Sequence, residues 1–227
     1  MDRKEFLKQS VLGLGTTITI PSLAASCSKE NMDLVDPNAC AVSPREIAGP
    51  FPIKNPTDQV VTNIIGDRVG IPLLINITIQ NTNDNCMPLS GVFVDIWQCD
   101  SKGNYSEYNN QLEGDFTSEH FLRGRQTSDT DGNVSFISIY PGWYPGRAPH
   151  IHVEVLKGDG SSLLVSQIAM PEDISKTVYS TSEYNGAFDT ANANDGSFRD
   201  SLERNIAEVI GNTTDGYTLT KILKVAG

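Results

Sequence analysis

Apolar and polar residues alternate along several short stretches of this chain with a period of two. Residues 73–80, 92–98, 121–127, 134–139, 150–156 and 163–170 carry the pattern, and turns rich in Gly, Asn, Asp and Pro separate them. Side chains two apart on a strand share a face, so each run can bury one side and turn the other outward. Six such runs predict an all-β, single-domain sandwich. Near the C-terminus the spacing changes. Leu202, Ile206, Val209 and Ile210 recur at helical intervals, predicting one short helix within residues 200–210, and residues 217–225 return as a last strand. There is no internal repeat and no low-complexity tract.

The first 27 residues read as an export signal and not as part of the fold. Arg3 and Lys4 precede an apolar stretch from Val11 to Leu23, and Ala24, Ala25 and Ser26 lead to Cys27. The start resembles a twin-arginine signal with Lys in the second position. The end resembles a lipoprotein processing site with Cys27 as lipid acceptor. The apolar run is shorter than the roughly 20 residues a spanning helix needs. The expectation is export from a bacterial cytoplasm, to the periplasm or to a membrane-anchored lipoprotein. Residues 28–45 are polar and read as a linker, which leaves residues 46–227 as one domain.

Composition narrows the partners. Asp and Glu number 28 against 17 Lys and Arg, a net charge of −11. With no basic stripe, the phosphate contacts that dominate nucleic-acid binding are missing. Four cysteines occur, none in CxxC spacing, so a zinc–thiolate site is not expected. Setting Cys27 aside, Cys86 and Cys99 bracket a predicted strand that holds them too far apart to bond. Cys40 with Cys86 is the preferred pair in an oxidising compartment, with Cys99 left buried or free.

The densest chemistry lies in Tyr144-Pro145-Gly146-Arg147-Ala148-Pro149-His150-Ile151-His152. Two of the three histidines stand two apart on a predicted strand, so both imidazoles face one space. A turn rich in Pro and Gly delivers Tyr144 and Arg147 beside them. Alone, His-x-His in a strand is more often two half-exposed imidazoles than a ligand pair. The upstream residues alter the balance: Gly91 through Tyr105, then Phe121-Leu122-Arg123-Gly124-Arg125, then Asp129-Thr130-Asp131-Gly132, then Tyr140-Pro141-Gly142-Trp143.

Together these segments resemble the intradiol ring-cleavage dioxygenases, the family of protocatechuate and catechol dioxygenases, and most of all their exported single-domain branch. The resemblance runs densest from Gly91 to Val155, with echoes at Ala48-Gly49-Pro50-Phe51 and at Gln167. It implies a non-haem Fe(III) cofactor held by Tyr105, Tyr144, His150 and His152. It implies that Tyr144 yields its place to substrate, that Arg147 stabilises negative charge on the substrate, and that Gln167 joins them. The substrates would be a catechol-type small molecule and dioxygen, and the product a muconate-type dicarboxylate. Phenolate and imidazole suit iron on general grounds, because both are hard-to-intermediate donors.

Where the family continues into aromatic residues, this chain reads Gln167-Ile168-Ala169-Met170, which leaves the far wall of the substrate pocket open. Tyr108, the nearest rival to Tyr105, is placed at a pocket edge. Trp97 and Trp143 are read as core or pocket wall, and His120 as a solvated loop residue without a partner. Asp129 to Gly132 reads as a β-turn and not as a calcium loop. The competing functional reading is a non-catalytic exported sandwich module that binds an aromatic ligand or a structural metal.

Overall fold

The structure, a computed structural model, describes residues 40–227. The export signal, Cys27 and most of the linker lie outside the described residues. Among the described residues no helix is long and apolar enough to cross a membrane.

Two sheets pack face to face. The first centres on β1 (Pro72–Asn81), which pairs antiparallel with β2 (Met87–Pro88) and β5 (Asn133–Ile139) on one edge and parallel with β9 (Gly216–Val225) on the other. Strand β8 (Glu208–Asn212) closes the far side against β9. The second sheet runs β4 (Arg123–Thr127), β3 (Phe93–Trp97), β6 (His150–Leu156) and β7 (Ser162–Ala169), all antiparallel. Leu73, Ile75, Ile77 and Ile79 point from β1 into the core, where they meet Val94, Ile96, Ile151, Val153 and Val155 of the second sheet. These are the inward positions of the period-two pattern, rich in the β-branched residues that suit a pleated surface.

The outward face of the second sheet is covered too, and this is where the fold departs from a sandwich with solvated outer faces. Residues 43–54 cross it without regular structure. Ser43 N donates to Lys224 O (2.9 Å), Ser166 Oγ to Pro44 O (2.7 Å), and Glu46 N accompanies them by donating to Val165 O (3.0 Å). Cys40 is bonded to Cys86. The expected linker therefore gives way to the domain at Cys40, not at residue 46, because its last residues are fastened to Cys86, β7 and β9. From the other side, the chain between β7 and β8 folds over the sheet. It begins with α1 (Glu172–Val178), which the sequence reading did not contain. Its signals were Pro171 at the cap position and two acidic residues in the first turn, but seven residues are too few to display a period.

The helix expected over 200–210 is cut short. Only Leu202–Asn205, α2, is helical. At Ile206 the backbone turns extended (φ −63°, ψ 137°), Ala207 N donates to Ala169 O (3.0 Å), and residues 208–212 become β8. The edges of β7 and β9 offer backbone partners that a helix would leave unmet, and tertiary pairing overrides a weak local preference.

Replacing Cys86 by Ser removes a crosslink across 46 residues of chain. Non-reducing urea denaturation is expected to show a loss of about 2–4 kcal/mol; an unchanged midpoint would mean the covering segment is held by its hydrogen bonds alone.

Candidate active site

Strand register assembles the first part of the site. Trp97, His152 and Gln167 are direct cross-strand partners on β3, β6 and β7, and lie in one row on the outward face. The Trp97 and His152 rings stack in parallel, centroids 5.0 Å apart and planes within 1°. Two residues along β6, His150 faces Ala169, whose small side chain leaves the imidazole room.

The two tyrosines come from loops at the same end. Asp100 Oδ1 accepts from the backbone N–H groups of Lys102 and Asn104, each at 2.9 Å, which shapes the turn that delivers Tyr105. That turn lies backbone to backbone against the one delivering Tyr144. A Cβ on Gly142 would fall 2.1 Å from Asp100 O, and one on Gly103 (φ +89°) 2.5 Å from Trp143 O. Neither contact tolerates a side chain.

All four expected ligand side chains meet. Ring centroids lie 5.7 Å apart for Tyr105 and Tyr144, 5.7 Å for Tyr144 and His150, 4.6 Å for His150 and His152, and 6.1 Å for Tyr105 and His152. His150 Nδ1 donates to Ala148 O (2.7 Å), which leaves a lone pair on Nε2. That Nε2 stands 3.0 Å from His152 Nε2 and 3.3 Å from Tyr144 Oη. Burial holds both imidazoles uncharged at neutral pH, His150 pushed down to about 4 and His152 well below its ordinary value, with the nearby Arg147 adding to the effect. Two neutral imidazoles aimed nitrogen to nitrogen repel unless a proton or a cation sits between them.

The phenols add to that argument. Tyr105 is 1% exposed, and its Oη has no hydrogen-bond partner among the described residues. Such an orphan costs on the order of 1–3 kcal/mol. Burial raises the Tyr105 phenol well above its usual range; it raises Tyr144 too, against the pull of Arg147. A multivalent cation would reverse both preferences and satisfy Tyr105 Oη. Among the described residues no three His, Cys, Asp or Glu side chains group as metal ligands. The donor set is two phenols and two imidazoles, and it fits a hard, highly charged metal ion.

Arg147 sits beside this cluster. Its Nη1 donates to Tyr144 Oη (3.3 Å), its Nη2 to Gln167 Oε1, and its Nε to Asp195 (2.9 Å). The carboxylate partner is buried. Gln167 in turn donates to Ile47 O (2.7 Å), tying the site to the covering segment. That segment also sets Phe51 against Tyr105, centroids 4.9 Å apart. Tyr108 is taken up by Pro52 O (2.8 Å) and contributes an edge. Trp143 donates to Gly186 O (2.9 Å), and Gly132 N closes its turn on Asp129 O (3.0 Å). His120 departs from expectation: it lies 3.1 Å from the buried Glu107, which also faces Arg123. No spacing rule joins residues 107 and 120, because a fold of the intervening loop brings them together.

Two residues of the site were assigned no role from the sequence. Arg123, wholly buried, donates to Ser106 O (2.6 Å), Ser106 Oγ (2.8 Å) and Phe51 O (2.8 Å), fastening the Tyr105 loop to the covering segment. Asp195, wholly buried, anchors Arg147.

Comparison with known proteins identifies the family. The Dioxygenase family model matches residues 47–160, a stretch that contains Tyr105, Tyr144, Arg147, His150 and His152. A solved intradiol ring-cleavage dioxygenase from Tetranychus urticae is 31% identical and superposes with a TM-score of 0.73, over 82% of this chain and 95% of that one. The chain belongs to the intradiol ring-cleavage dioxygenase family. The same fold recurs in the dioxygenase domain of a dioxygenase carbohydrate-binding protein fusion from Streptomyces sp. SirexAA-E, at 25% identity, TM-score 0.60, 81% of this chain and 97% of that one. Hydroxyquinol 1,2-dioxygenase of Rhizobium sp. is 27% identical over 146 residues, 56% of this chain and 47% of that protein. The chain spans about half the length or less of the curated relatives it matches. Within this member of the family, Gln167 and Asp195 lie beyond the stretch matched by the family model.

Gly49 supplies a test of how tightly the cover is fitted. It has φ +70°, and a Cβ there would lie 2.9 Å from His152 Cε1. Gly49→Ala is expected to destabilise the domain by about 1–3 kcal/mol through backbone strain and overpacking, read as a lower urea midpoint. A wild-type midpoint would show that the segment does not press on His152.

Proposed function

We propose that this protein cleaves a catechol-type ring between its two hydroxyl-bearing carbons, using non-haem iron(III) and dioxygen and giving a muconate-type dicarboxylate. The observation that carries this reading is the convergence of Tyr105, Tyr144, His150 and His152, with Tyr105 Oη buried and unpartnered. These four side chains would hold the metal. Bound ferric iron would supply a Lewis acid that chelates the catechol oxygens and draws electron density from the ring.

The chain's own residues divide the remaining work. Tyr105, His150 and His152 are each 3% exposed or less and are fixed in place. Tyr144 is less buried and leans on Arg147. It is the phenol free to give way to substrate, and its Oη can then receive a proton from a catechol hydroxyl. Arg147 favours the anionic form of that oxygen and stabilises negative charge on the ring oxygens, a preorganised role in a site screened from water. Gln167 keeps Arg147 aimed and bonds the cover in place. The residues after Gln167 depart from the family pattern, so the substrate is defined as a catechol and no further.

Export follows as part of the proposal. The first 27 residues read as an export signal, and the Cys40–Cys86 bond suits an oxidising compartment. A lipid on Cys27 would leave the domain tethered to a membrane surface.

Purified protein loaded with ferric iron is expected to show a broad visible band from tyrosinate-to-iron charge transfer, at one iron per chain, that shifts when a catechol is added. A protein that stays colourless after loading would replace the enzyme with a binding module. Tyr144→Phe should weaken that band and His152→Ala should lose iron, each abolishing turnover; full activity in both would remove them from the ligand set. Arg147→Ala should retain iron while kcat falls about 10²–10³-fold, and an unchanged kcat would exclude it from the chemistry.

A further inference from the structure

Asp195 is fully buried and makes three hydrogen bonds through its carboxylate. Oδ2 accepts from Arg147 Nε (2.9 Å) and from Ala148 N (2.8 Å), and Oδ1 accepts from Ser197 N (2.9 Å). Arg147 and Ala148 are neighbours in sequence, so one oxygen grips two successive residues of the turn that leads into β6. Ala148 is also the residue whose carbonyl takes the Nδ1 proton of His150 at 2.7 Å. Proline follows it at position 149, which restricts Ala148 to extended backbone and makes the link stiff.

The turn that carries the carboxylate is firmly seated. Arg199 N donates to Asp195 O (3.1 Å), and the preceding Asn192 donates to Met170 O (2.9 Å) while its N–H donates to Glu172 (2.8 Å). The turn that carries Asp195 is thereby bolted to the end of β7 and the start of α1. Phe198, on the same turn, packs edge-on to His150 at 6.3 Å and lies 6.0 Å from the Arg147 guanidinium. An ion pair made only for stability would need neither the Ala148 contact nor its relay to an imidazole.

We propose that Asp195 is a positioning residue that sets two groups of the site at once. It aims Arg147 at Tyr144 directly, and it orients His150 through the Ala148 backbone. It touches neither substrate nor metal. The functional half of the inference rests on the dioxygenase reading above, whereas the orientation of His150 does not.

The test uses Asp195→Asn in the full chain and begins on the metal-free protein. The His150 Nδ1 proton is followed by ¹H–¹⁵N NMR, with a cooperative thermal transition as the check on folding. Exchange of that proton with solvent is expected to become at least tenfold faster in the variant; an unchanged rate overturns the inference, whatever the wild type catalyses. With iron bound, kcat for a catechol is expected to fall about as far as in Arg147→Ala, with KM changing less. The double variant Asp195→Asn/Arg147→Ala should lose clearly less than the product of the two single losses, because part of the effect of Asp195 on turnover runs through Arg147 and only the part through His150 remains. Independent, multiplying losses would overturn that route. A wild type that neither binds ferric iron nor turns over a catechol, yet shows the faster exchange in the variant, would sink the dioxygenase reading and sustain the orientation of His150. Should Asp195→Asn fail to fold, Asp195→Glu keeps the charge, moves it by one methylene, and carries the same comparisons with the same outcomes.

Discussion

Burial of the outward face of the β4–β3–β6–β7 sheet is the constraint on which the rest depends. A sandwich exposes its outer faces by default, and His150 and His152 on such a face would be solvated, chargeable and free to rotate. Here residues 43–54 cross the face from one side and the turn around Asp195 covers it from the other. The water removed by that cover pushes both imidazoles toward the uncharged form and raises both phenols further above their ordinary range in the absence of a cation. Low dielectric also strengthens every charge–charge term at the site. A single act of packing thus produces a place that is unfavourable when empty of charge compensation and favourable once a multivalent cation enters.

The cover has to be held, because covering segments without regular structure gain little from local backbone bonding. Side chains of the site perform part of that task. Gln167 bonds Arg147 with one end and Ile47 O with the other. Arg123 bonds the Tyr105 loop and Phe51 O together. The backbone conformation nearby is unusual: Glu107 (φ +67°) and Leu122 (φ +56°) occupy the left-handed region although neither is glycine. Such strain costs on the order of 1–3 kcal/mol per residue, and both positions flank the Ser106–Arg123 contacts. The polar network thus fixes the cover and the Tyr105 loop in the same step, which makes disturbance at one felt at the other.

Much of the β framework was legible from alternation alone. Residues 150–156 were bounded correctly, and the remaining long strands differ by one or two residues at their ends. Alternation also placed the two histidines on one face, since side-chain direction in a strand is a local property. The helix expected at 200–210 failed at Ile206, where the reward for continuing in a strand comes from β9 and Ala169, residues distant in sequence. Short elements such as α1 and β2 escaped because they are too brief to show a period.

The candidate site divides along the same line. Tyr105, Tyr144, Arg147, His150 and His152 could be singled out because chemically distinctive residues stand in distinctive turns, and those turns resemble a known family. By itself the sequence determined which groups could serve, and which face of β6 the imidazoles share. Tertiary structure alone decided that Asp195 would reach Arg147 across 48 positions, that Arg123 would bind Phe51, and that residues 40–45 would belong to the domain. The physical reason is range. Side-chain direction and turn geometry follow from adjacent residues, whereas burial and charge pairing depend on which distant segments share a boundary once the sheets have packed.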